Sequence, residues 1–218
     1  MKGLFVKDLY LLEKQKLFFL ATIFLTVMNA QNFQMLVLVP LFMLFFVLSI
    51  IFTTITLDET NHGFSFLFTL PVSRRKYVFQ KYLLSYISSL AAILLSVGII
   101  LIMNMLQGRT VDMKDLGIVL VGIFILGSLY ISLILPFYFK FDEGKSRLII
   151  IVVMAIIFFF VFLGKGVFDR LGIDIMGILL WISNVPMWLL FVGGGIVAIV
   201  TCAMSVILSF GFIEQKEL

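Results

Sequence analysis

Long uninterrupted apolar stretches, separated by short polar and charged segments, make up most of the chain. They cover approximately residues 17–33, 35–57, 82–106, 116–139, 148–164 and 187–212. A helix needs about 20 predominantly apolar residues to cross a bilayer core of roughly 30 Å. The pattern therefore predicts an all-α integral membrane protein in which residues 1–218 form a single transmembrane domain of six helices. Five spans is the alternative count. The polar residues Asn29, Gln31 and Asn32 lower the hydrophobicity at the end of the first stretch, and the fifth stretch is short.

The composition agrees with a membrane protein and excludes several other classes. Of the 218 residues, 62% are hydrophobic and 13% are charged, whereas soluble domains average about 45–50% apolar and 25% charged residues. Six spans would leave no room for a built-in catalytic domain. The single cysteine excludes a disulfide framework, and the single histidine, His62, excludes a histidine-rich metal centre. We therefore expect neither a metal nor a cofactor in this chain.

The sequence contains no motif for ATP hydrolysis or for intramembrane proteolysis. No phosphate-binding G-x-x-x-x-G-K-[ST] loop occurs, and the glycines at 193–195 lie inside an apolar stretch, where they favour close helix packing. No H-E-x-x-H or G-x-S-x-G motif occurs either. Serines within the stretches, among them Ser85, Ser89 and Ser128, predict hydrogen bonds between helices rather than contacts with a substrate. We expect that the chain is not an enzyme.

Lysines and arginines are distributed unevenly between the connections. If both termini face the cytoplasm, the cytoplasmic segments hold twelve of the sixteen basic residues and the outer segments hold four. Such an excess near span ends marks the cytoplasmic side of a bacterial cell membrane. Basic residues that orient the spans and meet anionic lipid of the inner leaflet account for the net charge of +4. We therefore expect no nucleic-acid partner.

The N-terminal segment that precedes the first span has a mixed character. Phe5, Leu9 and Leu12 share one face of a helical wheel, whereas Lys7 and Asp8 fall on the other side. The pattern predicts an amphipathic interface helix over residues 1–16, lying along the inner membrane surface. An ordinary basic anchor that only fixes orientation is an equal alternative.

The connection between the second and third spans, residues 58–81, is the most distinctive segment. Its apolar residues would be costly to expose unless they meet the membrane interface or another protein, and they are Phe64, Phe66, Leu67, Phe68 and Leu70. Pro71 ends the helix that these residues form, because the residue before a proline is pushed out of the α region. Ser73 is placed to cap the next helix, which Arg74 and Arg75 open.

A second apolar segment lies between the fifth and sixth spans. Residues 172–184 are too few to cross a bilayer, and Pro186 follows them. The segment predicts a short re-entrant or interfacial helix on the outer side, with Trp181 and Trp188 near the membrane boundary.

The order of these parts resembles the membrane subunits, or permeases, of ABC-2 type exporters. The resemblance rests on the amphipathic N-terminal helix, two spans, a loop that begins with Asp58 and Glu59 and contains L-P-V-S-R at 70–74, and four further spans. It implies that residues 60–70 form a coupling helix that docks on a separate ATP-binding subunit. The residues that it assigns to this contact are Asp58, Glu59, Phe64, Leu67, Leu70, Pro71, Ser73, Arg74 and Arg75.

The resemblance also implies partners and a cargo. Two such permeases, identical or sibling, would pair with two cytoplasmic ATP-binding subunits, and ATP and magnesium would bind in those subunits. Compact members of this size resemble exporters of amphipathic or antimicrobial peptides, including phenol-soluble modulin exporters. Two other classes stay open: a structural or regulatory membrane protein without transport, and a substrate-binding membrane subunit of a vitamin importer.

Overall fold

The computed structural model describes residues 2–30, 38–59, 73–108, 112–141, 177 and 185–215. These residues include six helices. In chain order they are α1 (Lys2–Lys14), α2 (Lys16–Ala30), α3 (Leu38–Glu59), α4 (Arg74–Leu106), α5 (Met113–Lys140) and α6 (Met187–Gln215). No strand occurs within these ranges, so the all-α prediction is confirmed for this part of the chain.

Four of the helices, α3 to α6, are long and apolar enough to cross a membrane. They coincide with the second, third, fourth and sixth predicted spans. Helix α2 coincides with the start of the first predicted span, but its 15 residues rise only about 22 Å, and residues 31–37 lie outside the described ranges. The fifth span at 148–164 and, except for Gly177, the short outer helix at 172–184 also lie outside them. The structure thus supports four spans, and the count of six stays a prediction.

Helix α4 begins where the sequence predicts and is longer than the third predicted span. Ser73 has extended backbone angles, and its hydroxyl accepts a hydrogen bond from the backbone N–H of Lys76 at 3.4 Å, as expected of an N-cap. Residues 74–81 therefore belong to a helix of 33 residues. Asp58 and Glu59 are the last residues of α3, so the connection between α3 and α4 is shorter than the predicted 58–81 segment.

Helix α3 lies at the centre of the bundle and contacts α1, α2, α4 and α5. Its side chains Met43, Leu48, Ile51 and Ile55 are almost completely buried. An apolar surface on every side suits this enclosure, because no face of α3 has to meet water.

Helices α5 and α6 form the most extensive helix pair among the described residues. At Gly194 of α6, an added Cβ would lie 2.8 Å from the Cδ1 atom of Ile125, so the missing side chain allows the helices to approach closely. The close packing predicted for the glycines is therefore confirmed at Gly194. A Cβ at Gly193 or Gly195 would meet nothing within 4 Å.

Candidate functional site

Ionisable side chains collect at one end of the bundle, where α1, the end of α3 and the start of α4 meet. Lys81 lies two turns into α4 and is fully buried, as is Asp8 of α1, and Asp58 of α3 is only 7% exposed. We call this group the ionic cluster. Its members are Lys7, Asp8, Thr54, Asp58, Tyr77, Gln80 and Lys81.

The ammonium group of Lys81 is the centre of the ionic cluster. Its Nζ atom donates to both carboxylate oxygens of Asp8 at 2.9 Å and to the hydroxyl of Thr54 at 2.9 Å. It also lies 3.0 Å from Oδ2 of Asp58. One side chain of α4 thereby binds groups from α1 and α3 at the same time.

Each carboxylate of the ionic cluster has further donors. Asp8 accepts a hydrogen bond from Nε2 of Gln80 at 2.7 Å. Asp58 accepts one from the Tyr77 hydroxyl at 2.8 Å and one from the ammonium group of Lys7. The two cations and two anions give the ionic cluster a formal charge of zero.

The pairing of the charges offsets the free-energy cost of burying them. Moving an ion out of water costs several kcal/mol, and hydrogen bonds with opposite charges offset that cost only when the geometry is complete. Both carboxylates are occupied by donors from the protein, and no group of three or more potential ligands for a metal ion occurs within the described ranges. The ionic cluster therefore joins α1, α3 and α4 through buried ion pairs and hydrogen bonds.

A second polar contact joins the start of α4 to the end of α6. Nη1 of Arg74 donates to the backbone carbonyls of Ile213 at 3.1 Å and Glu214 at 3.0 Å. Nε of Arg75 donates to Oε1 of Glu214 at 2.7 Å. The last carbonyls of a helix lack partners within the helix and carry partial negative charge, so a guanidinium group stabilises them. We call Arg74 and Arg75 the arginine cap.

A third contact lies further along the same helices. The hydroxyl of Tyr82 in α4 forms hydrogen bonds with the hydroxyls of Ser205 and Ser209 in α6. Ser205 donates in turn to the backbone carbonyl of Ser132 in α5. We call these residues the hydroxyl seam, because they connect α4, α5 and α6.

Serine hydrogen bonds differ from the sequence prediction. The hydroxyls of Ser85, Ser89 and Ser128 donate to carbonyls three or four residues earlier in their own helices, so the prediction of bonds between helices is wrong for these three. Such local bonds are available to any serine in a helix and need no neighbour. The bonds between helices are made by Ser205 and Ser209, which the sequence analysis did not single out.

The predicted coupling residues divide into two groups. Asp58 belongs to the ionic cluster, Ser73 caps α4, and Arg74 and Arg75 form the arginine cap. The side chain of Glu59 lies outside the described residues. Four further members of the prediction also lie outside them, and they are Phe64, Leu67, Leu70 and Pro71. The contact of this segment with another protein stays a prediction.

The N-terminal helix is oriented differently from what its wheel suggests. Phe5 and Leu12 are half-buried, and Leu9 is 57% exposed. Asp8, which the wheel assigns to the polar side, is buried against Gln80 and Lys81 instead of meeting water. Its carboxylate can leave water because these side chains provide donors.

Sequence reasoning missed the ionic cluster as a unit, although two signals were present. Asp8 is an acidic residue in a mostly basic N-terminal segment, and Asp58 and Lys81 are opposite charges at the two ends of one connection. Charges in those positions become partners when the flanking helices pack side by side. The spacing of Tyr77, Gln80 and Lys81 places them on one face of α4, but it does not show that this face turns toward α1 and α3.

Comparison with known proteins identifies a family to which the chain is similar. A family model described as "ABC-2 family transporter protein" matches residues 3–214. No curated protein and no solved structure matches the chain. The matched range includes the ionic cluster, the arginine cap and the hydroxyl seam.

Proposed function

The chain belongs to the ABC-2 family of transporter proteins, and from this we propose that it is the membrane-spanning permease of an ATP-driven exporter. Family membership and the four apolar helices make it an integral membrane protein that works with an ATP-binding subunit. Membership also speaks against the two alternatives left open by the sequence. Export, the identity of the cargo and the way in which the ATPase is coupled are parts of the proposal.

The observation that carries the proposal is the fixation of both ends of the connection between α3 and α4. Asp58 holds the end of α3 in the ionic cluster, and Tyr77 and Lys81, in the first two turns of α4, bind it there. A force applied to the connection then moves α1, α3 and α4 together, because their relative positions are fixed by buried charges. We propose that an ATPase docked on this connection moves the three helices in this way.

The docking face itself is proposed from the sequence. Phe64, Leu67 and Leu70 follow i, i+3, i+6 spacing and so lie near one face of a helix that Pro71 ends. A large apolar side chain contributes about 1.5–3 kcal/mol when it is buried in a contact. We propose that this face enters a groove of a cytoplasmic ATP-binding subunit, which binds ATP and magnesium.

The test is the variant Leu67→Asp, studied for expression in the membrane and for co-purification of the ATPase. We expect normal expression and loss of the ATPase, because a carboxylate would be buried in the groove without a partner. Ser65→Asp is the matched control, since it adds the same charge to the opposite side of the predicted helix. A well-expressed Leu67→Asp protein that retains its ATPase would remove this face from the mechanism.

The proposal extends to assembly and cargo. Two permeases, identical or sibling, would pair with two ATP-binding subunits, and both termini would face the cytoplasm of a bacterial cell. The cargo class that we propose is an amphipathic or hydrophobic molecule such as a peptide. The support for this class is the composition of the chain, whose 25 phenylalanines and 11 methionines provide adaptable apolar surfaces.

A further inference from the structure

We propose that Arg74 and Arg75 act within the chain as positioning residues, and that the arginine cap transmits movement of the connection to α6. This inference rests on the proposed function, because it requires an ATPase that moves the connection. It assigns the two arginines a role different from the ATPase contact that the family resemblance implies.

The first support is the position of Arg74 at the junction of two elements. It is the first residue of α4 after the connection, and its guanidinium group donates to the carbonyls of Ile213 and Glu214 in the last turn of α6. Those carbonyls have no partners in their own helix. A displacement of the start of α4 is therefore applied directly to the backbone of α6.

The second support is that Arg75, the neighbour of Arg74, also contacts the end of α6. Arg75 forms an ion pair with Glu214, and its guanidinium carbon lies 5.9 Å from the centre of the Phe210 ring. The side chains of Arg75 and Glu214 are exposed, at 68% and 48% respectively, so this ion pair contributes little stability. Arg74 is the main contact and Arg75 the weaker one.

The third support is the hydroxyl seam. Tyr82 lies two turns after the arginine cap on α4, and its hydroxyl bonds to Ser205 and Ser209 of α6. Helices that are joined at two levels cannot slide past each other without breaking both sets of bonds. The start of α4 and the end of α6 therefore move as one body while the arginine cap is intact.

The experiment follows α4 and α6 separately in the complex with its co-purified ATPase. Spin labels are placed at Phe79 of α4 and Leu208 of α6, one at a time in a Cys202→Ala background, because both side chains are about half exposed. Their accessibility to water-soluble and lipid-soluble paramagnetic reagents is measured with and without ATP plus vanadate. In the otherwise unmodified complex we expect both labels to respond to nucleotide.

In the Arg74→Gln variant we expect the ATPase to be retained, the α4 label to respond and the α6 response to be clearly weaker, because only Arg75 and the hydroxyl seam then join the two helices. Arg74→Lys should restore the α6 response, because an ammonium group can still donate to the carbonyls. Lys76→Gln is the control for loss of one charge, since Lys76 is exposed and its side chain has no hydrogen bond or ion pair within the described ranges. If Arg74→Gln does not accumulate, Arg75→Gln should weaken the α6 response.

Four results would overturn the inference. They are an α6 response in Arg74→Gln equal to that of the original complex, loss of the ATPase from this variant, failure of Arg74→Lys to restore the response, and no α6 response in the original complex. Failure of the proposed function is distinguishable, because then no ATPase would co-purify with the unmodified chain.

Discussion

Lys81 is the residue on which the largest number of contacts converges at the charged end of the bundle. It is fully buried, yet each of its donors has an acceptor, and its two carboxylate partners come from different helices. Lys81, the last residue of the predicted 58–81 connection, is therefore a buried helical residue. Its removal would leave the ionic cluster with two carboxylates and one cation.

We predict that Lys81→Met lowers the stability of the protein by about 3–5 kcal/mol, because it leaves a buried charge without compensation. Combining it with Asp8→Asn should recover part of the loss, since the remaining Lys7 and Asp58 are again neutral as a pair. Thermal denaturation in detergent measures both effects.

Asp115→Asn serves as the control for the loss of a carboxylate, because Asp115 is exposed in the first turn of α5. Its removal should cost only about 0.3–1 kcal/mol. A double variant no more stable than Lys81→Met would show that charge balance is not what holds the ionic cluster together.

At the scale of helices, the sequence predicts well wherever one long apolar run forms one helix. The start of α4 at Ser73 and the four long spans follow from local rules of capping and hydropathy. The pairing of Asp8 with Lys81, or of Tyr82 with Ser209, depends on the rotation and depth of helices that are distant in sequence. No periodicity in a single segment contains that information.

The glycines of α6 provide a test of helix packing. Gly194→Val should destabilise the pair α5–α6 by about 1–3 kcal/mol, because its side chain would collide with Ile125 and Val121. Gly193→Val introduces the same side chain into open space and should cost much less. Thermal denaturation of the two variants in the same detergent makes the comparison, and equal losses would mean that the contact with Ile125 and Val121 does not set the cost.

At the scale of the whole molecule, three polar contacts connect α1 to α6 through α3, α4 and α5. The ionic cluster joins α1, α3 and α4, the arginine cap joins α4 to α6, and the hydroxyl seam adds α5. The ionic cluster and the arginine cap lie at the end of the bundle that flanks the connection between α3 and α4. In our proposal this end faces the cytoplasm.

Orientation in the membrane can be measured with single cysteines in a Cys202→Ala background. We expect probes at Gly3, His62 and Lys145 to react with an impermeant reagent only from the cytoplasmic side, and probes at Gln107 and Asp169 only from outside. The reason is the excess of twelve basic residues over four on the predicted cytoplasmic segments. Reaction of His62 from outside would reverse the orientation and remove the ATPase contact from this connection.

The burial of Asp8 also has a consequence for the order of assembly during synthesis. Asp8 leaves the ribosome 73 residues before Lys81, which at about 5–20 residues per second corresponds to several seconds. During that interval the carboxylate has no ammonium partner from α4, and because an unpaired charge is costly to bury, we expect Asp8 to stay hydrated. We therefore expect α1 to pack into its final position only after α4, which carries Lys81, has been inserted.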